Sequence, residues 1–230
     1  MLLLAVLCIE LTLLFFLSKR LTQAIFECCL LIFHARSIAI TILTLINFPG
    51  TVIHELSHLF TAEILGVRTG KLTLVPDSIQ GNEIKTGSVM IAASDPFRRY
   101  FIGLAPIFTG LIAITTLSYF LSQHYYPITI LTMVYFYLLL AVSNAMFSSA
   151  EDLKGFLPFI LTLTLMVGAA YFAGFRIGLT GPALSIAIQI LDGLTKSLGI
   201  VVGLNIISLI LAKLCILFTQ KITGRKLYKR

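Results

Sequence analysis

Residues 100–150 read YFIGLAPIFTGLIAITTLSYFLSQHYYPITILTMVYFYLLLAVSNAMFSSA, without one Asp, Glu, Lys or Arg. The run is interrupted only by His124-Tyr125-Tyr126-Pro127, a polar stretch rich in turn formers. A helix needs about 20 apolar residues to cross the hydrocarbon of a bilayer. Two crossings joined by a tight turn are therefore expected here. Residues 156–175 and 197–219 are further apolar runs, the second with Lys213 close enough to its end to snorkel. Residues 2–17 form a shorter run holding Glu10. It has no basic start and no small-residue cleavage site before Ser18-Lys19-Arg20, so it reads as a retained first helix.

Residues 21–34 carry Gln23 and Glu27 and fit either an interfacial segment or one packed inside a bundle. Residues 37–66 are broken at Asn47-Phe48-Pro49-Gly50. Pro lacks a backbone donor and suits a first helical turn, so a new helix is expected to start at Pro49 and end at Gly66. Residues 183–191, between Pro182 and Asp192, are too short to cross and read as a half-helix or re-entrant piece. The expected fold is an all-α polytopic membrane protein with about six transmembrane helices.

Composition agrees, with 58% hydrophobic residues, a mean hydropathy of +0.99 and 12% charged residues. Soluble domains carry about 25% charged residues. Residues 67–99 form the one sizeable polar segment. Its β-branched stretches at 71–75 and 88–92 flank the turn residues Asp77, Gly81 and Asn82, which predicts a small β-hairpin at the membrane surface. No repeat or Pro- or Ser-rich linker divides the chain. Residues 1–230 are read as a single membrane-embedded domain, with its core at about 49–155 and a basic tail at 221–230.

The net charge is +7. The tail residues Lys221, Arg225, Lys226, Lys229 and Arg230 read as a cytoplasmic end by the positive-inside rule rather than as a nucleic-acid patch, so the expected surroundings are a lipid bilayer and no nucleic acid. With six crossings, this tail and the polar loop fall on the same side. Cys8, Cys28, Cys29 and Cys215 lack C-x-x-C spacing and read as small buried hydrophobes rather than a disulfide framework or a thiolate metal site.

Within the apolar stretch after Pro49 stands His54-Glu55-Leu56-Ser57-His58, an H-E-x-x-H in a chain with four His. At these residue frequencies, chance would produce the motif in about 0.2% of such chains. Helical geometry puts His54 and His58 about 40° apart on one face, where both imidazoles can bind one tetrahedral zinc. Glu55 is then turned to reach a water on that metal. Two imidazoles and a carboxylate are costly in a hydrophobic span unless they face a metal, a partner or a water-filled cavity. Glu63 lies about 140° from His58 and about 180° from His54, so it cannot close the same site.

A catalytic zinc needs a third protein ligand and an open position. Asp152, with Glu151 beside it, lies in the polar break after the 128–147 span, which two crossings return to the side where the His helix ends. Asp192 is the rival, although Lys196 nearby makes an ordinary ion pair an equally good explanation. His34 and His124 read as interfacial or hydrogen-bonded core residues.

Three blocks of sequence resemble the site-2 protease family of intramembrane zinc metalloproteases, in its compact branch without a PDZ domain. His54-Glu55-Leu56-Ser57-His58 followed by Ala62 and Gly66-Val67 is similar to the family's first block, an H-E-x-x-H helix ending in a Gly-Val turn before a small β element. Gly103-Leu104-Ala105-Pro106-Ile107-Phe108-Thr109-Gly110 resembles the second, and Asn144 through Asp152 resembles the third, an Asn followed by an acidic ligand. The third block has Ser148-Ser149 and Asp152-Leu153 where the family usually has prolines and an Asp-Gly pair.

The resemblance implies one Zn2+ per chain held by His54, His58 and Asp152, with Glu55 as catalytic base. It also implies a transmembrane protein substrate whose helix unwinds before cleavage. Asn144 is expected to hydrogen-bond the unwound backbone, and an edge strand from 71–92 to pair with it. Ser57, Ser148 and Ser149 are candidates for a water path, or simply helix residues bonded to their own backbone. The cell (plasma) membrane is the expected location. A catalytically idle binding relative, and a transporter using His34, Glu63, Asp192 and Lys196, are the other classes the residues allow.

Overall fold

The computed structural model describes residues 2–74, 79–80, 83–84, 87–123, 130–147, 156–174 and 181–223. These form six helices: α1 (Leu2–Phe33), α2 (Arg36–Ile64), α3 (Pro96–Gln123), α4 (Ile130–Ala145), α5 (Phe156–Phe172) and α6 (Pro182–Thr223). Four of them, α1, α2, α3 and α6, are long and apolar enough to cross a membrane. Between α2 and α3 lie four short strands: β1 (Thr69–Thr73), β2 (Ile79–Gln80), β3 (Glu83–Ile84) and β4 (Ser88–Ile91). β1 pairs antiparallel with β4, Thr73 opposite Ser88 and Thr69 opposite Ile91, and β2 pairs antiparallel with β3. The expected small β element is there, and the Thr73 and Ser88 hydroxyls meet at 2.7 Å across it.

Three helix boundaries differ from the expectation, each for a local reason. Residues 2–33 are one helix, not two segments parted at Ser18-Lys19-Arg20. Lys and Arg are good helix formers and no Gly or Pro intervenes. Ser18 and Lys19 also find partners along the helix itself. Ser18 Oγ donates to the Phe15 carbonyl at 3.1 Å, and the Lys19 ammonium sits 4.7 Å from the Phe15 ring centroid. α1 ends at His34, whose φ of 57° is left-handed. Its backbone N–H donates to the Leu30 carbonyl, and its Nδ1–H donates to the Ile32 carbonyl, so this histidine closes a helix at an exposed position.

The second difference is at Pro49, which lies inside α2 instead of starting a helix. Proline removes one backbone hydrogen bond, here the one to the Leu45 carbonyl, and packing compensates. Gly50 brings the α2 backbone directly against α4: a Cβ at Gly50 would fall on the carbonyl of Ala141 and lie 2.8 Å from the Ala145 Cβ. The third is at 183–191, which belongs to the 42-residue α6 and is not a separate half-helix.

The core lies where α1, α3, α4 and α6 meet, at Leu14, Ile114, Leu139, Val142, Met146, Phe147, Leu198 and Val201. Gly110 of α3 receives the Met146 side chain, and the Phe15 and Phe147 rings meet edge to face at 5.7 Å. A buried polar bridge crosses this core: Asn205 Nδ2 of α6 donates to Ser143 Oγ of α4 at 3.2 Å, both residues fully buried.

α1 and α6 run side by side in the same direction. Glu10 lies against Gly199, and Cys28 Sγ stands 2.9 Å from Cys215 Sγ, so both chains advance from one contact to the other. First and last helices of six alternating crossings would be antiparallel; these are parallel. The thiol pair joins residues far apart in sequence, which spacing arguments on Cys could not reveal. All four cysteines are free, and Cys8 is exposed rather than buried.

Candidate metal centre

The H-E-x-x-H lies in the last three turns of α2, where the helix is enclosed. Thr51, His54, Glu55, Ser57 and His58 are 3 to 6% exposed. At 100° per residue their side chains fan over one arc of about 160°, from Ser57 through His54, His58 and Thr51 to Glu55, and two different neighbours cover its parts. α3 covers the His58 face, since His58 Nδ1 lies 2.8 Å from the Ile102 carbonyl. A carbonyl oxygen can only accept, so Nδ1 carries the proton and donates it. In the neutral ring, Nε2 then presents a lone pair.

That lone pair points at the other histidine. His58 Nε2 and His54 Nε2 are 3.2 Å apart, with ring centroids at 4.8 Å and ring planes at 87°. Zn–N bonds of about 2.0–2.1 Å at a tetrahedral angle separate two ligating nitrogens by about 3.3 Å. The Nε2–Nε2 separation therefore matches that of two nitrogens sharing a zinc ion. A proton on His54 Nε2 would close the same gap as an ordinary hydrogen bond, so the geometry admits a cation or a proton between the rings. Ser57 Oγ donates to the His54 carbonyl at 2.6 Å, so this hydroxyl is bonded to its own helix.

Glu55 faces the β element. Gly87, immediately before β4, lies so close that a Cβ there would be 2.9 Å from Glu55 Cγ and Oε1 and 3.0 Å from Thr51 Cγ2. The strand that follows the polar loop thus passes directly over the candidate base. Gly87→Ala is expected to displace the Glu55 carboxyl. Since misplacements near 1 Å can cost about 100-fold in rate, the peptide cleavage that the H-E-x-x-H resemblance implies should fall about 10- to 100-fold with zinc content unchanged. An assay pairing cleavage with metal content checks this, and full activity in Gly87→Ala would show that Gly87 does not set the position of Glu55.

The other predicted residues divide. Glu63 is exposed on α2, away from the histidines, as its helical angle required. Asp192 does not join them either: its carboxylate holds Lys196 Nζ at 2.6 Å on an accessible part of α6. Asn144, on α4, has its Oδ1 buried with no hydrogen-bond partner among the described residues, and its neighbour Ala145 packs on Gly50, one turn before His54. Asp152, Glu151, Ser148, Ser149 and His124 lie outside the described residues, and among those described no three His, Cys, Asp or Glu side chains converge on one point.

Ile102, Pro106 and Gly87 carry no individual signal in the sequence. Gly103 to Gly110 stood out only as a block, and nothing in the order of residues says that Ile102 faces His58. Comparison of the chain with protein-family models, with curated proteins and with solved structures gave no match.

Proposed function

We propose that the protein is a multi-pass membrane zinc endopeptidase of the site-2 protease kind, cleaving peptide bonds in or near transmembrane segments of other membrane proteins. The observation that carries this is the 3.2 Å approach of the two Nε2 atoms, one of them held in its lone-pair form, beside a buried glutamate. His54 and His58 would hold the zinc through Nε2. Asp152 is the proposed third ligand. α4 leads the chain past Gly50, one turn from His54, and the five residues from Phe147 to Asp152 can reach about 17 Å.

Zinc, when bound, would supply Lewis-acid polarisation of the scissile carbonyl and make the attacking water acidic. Glu55 accepts that water's proton on its carboxylate and delivers it to the nitrogen of the leaving amine. Burial of Glu55 and both histidines under α3 and the Gly87 segment keeps bulk water from the site, which strengthens each charge interaction there. Asn144, with an unused buried amide oxygen, suits a donor on an unwound substrate backbone. The transporter alternative loses two of its residues, because Asp192 and Lys196 satisfy each other.

In this reading the parallel α1 and α6 also set the topology. Successive crossings alternate in direction, so an odd number runs from α1 to α6. α4 with 16 residues and α5 with 17 lie at the lower limit of about 17 residues for a crossing, so one of the two is the natural exception. The polar loop and the basic tail then lie on opposite sides, unlike the same-side arrangement that six crossings would give.

Metal analysis of purified protein tests the proposal. Near one zinc per chain is expected, lost in His54→Ala and His58→Ala and weakened in Asp152→Asn, with Asp192→Asn unchanged. Wild-type protein that takes up no zinc would remove the proposal, and loss in Asp192→Asn alone would reassign the third ligand.

A further inference from the structure

We propose that Pro106 is a positioning residue for the histidine pair: by withholding a helical N–H it leaves the Ile102 carbonyl for His58 Nδ1, which aims the His58 Nε2 lone pair at His54. The inference rests on the zinc reading of that pair and adds a device that holds it ready.

In an α-helix each carbonyl is taken by the N–H four residues later. α3 runs without interruption from Pro96 to Gln123, and the residue four after Ile102 is Pro106, which has no N–H. Ile102 is 3% exposed, so solvent does not replace the missing donor. The His58 ring does, at 2.8 Å. One bond thus satisfies a buried carbonyl that the proline leaves open and chooses the tautomer of a candidate ligand. A histidine that ligates through one nitrogen commonly donates from the other to a fixed acceptor, and loss of that acceptor weakens metal affinity about 10- to 100-fold. Here the acceptor is created by a proline on a neighbouring helix.

The consequence has an unusual sign. Pro106→Ala restores an N–H at the position that reaches the Ile102 carbonyl, which completes the α3 ladder and stabilises the helix. The same change gives His58 Nδ1 a competitor. A residue that only shaped the fold would move stability and metal affinity together, whereas this role moves them in opposite directions.

The test uses the full chain in detergent, with histidine labelled at both ring nitrogens. In metal-free wild type, His58 should show the nitrogen shifts of the Nδ1–H tautomer, assigned by comparison with His58→Gln. In Pro106→Ala, that pattern should give way to a tautomer mixture. The thermal midpoint should rise, and zinc affinity, measured by chelator competition, should fall about 10- to 100-fold. Wild-type His58 in the Nε2–H form overturns the inference whether or not the variant folds. So does Pro106→Ala with unchanged shifts and unchanged zinc affinity. A wild type that binds no zinc but shows the Nδ1–H signal removes the enzymatic reading and leaves the Pro106–Ile102–His58 arrangement standing.

Discussion

On the proposed endopeptidase reading, Glu55→Gln is expected to abolish peptide cleavage and to leave zinc content at the wild-type level. The side chain is 5% exposed and packed against the Gly87 segment, so the near-isosteric amide keeps the same contacts and the fold has no reason to change. What the amide cannot do is accept a proton from water. General base catalysis contributes about 100- to 10,000-fold, and in the proposed mechanism the same group also returns the proton to the leaving amine, so the upper end of that range is expected. The measurement is cleavage of a transmembrane substrate in reconstituted vesicles, with zinc determined on the same preparation. Cleavage at the wild-type rate would strike Glu55 from the mechanism. Loss of zinc alongside activity would mean that the carboxylate holds the metal and is not a free base.

Gly50→Val is expected to cost the most in folding. A Cβ at this position meets the backbone carbonyl of Ala141, which cannot swing aside as a flexible side-chain end would, and the Ala145 Cβ stands 2.8 Å away. Overpacking in a filled core typically costs 1–3 kcal/mol and occasionally more, and a clash with backbone belongs near the top, about 3 kcal/mol. α2 must then lift from α4 one turn before His54. The histidine pair and the start of the segment leading to Asp152 move apart together. Gly50→Ala should lower the thermal midpoint and weaken zinc binding, and Gly50→Val should do so more severely. Ala145→Gly should not rescue either, because the Ala141 carbonyl remains. A Gly50→Val protein with a wild-type midpoint would mean that α2 and α4 do not cross at Gly50.

Much of the helical layout could be read from hydropathy, because long uncharged runs have few alternatives to a helix in an apolar setting. The errors came at polar punctuation. Lys19 and Arg20 suggested an end, yet both are good helix formers, and the helix continues with Lys19 over the Phe15 ring and the Ser18 hydroxyl on the Phe15 carbonyl. Pro49 suggested a start, yet one missing hydrogen bond is a small loss beside the contact that Gly50 allows with α4. Asp192 was different: its spacing to Lys196 offered an ion pair as readily as a ligand, and the ion pair is what forms.

The spacing of His54 and His58 is a property of the helix itself, so the order of residues alone determined that both imidazoles share a face and that Glu63 does not. The apolar runs likewise determined that this chain would be built from long helices around a small β element. Only the tertiary structure decided that α3 presents the Ile102 carbonyl to His58, that Gly87 crosses over Glu55, and that α1 and α6 run parallel with Cys28 beside Cys215. Those contacts join residues far apart in the chain. Their distances follow from how whole helices settle against one another, and local periodicity carries no information about that.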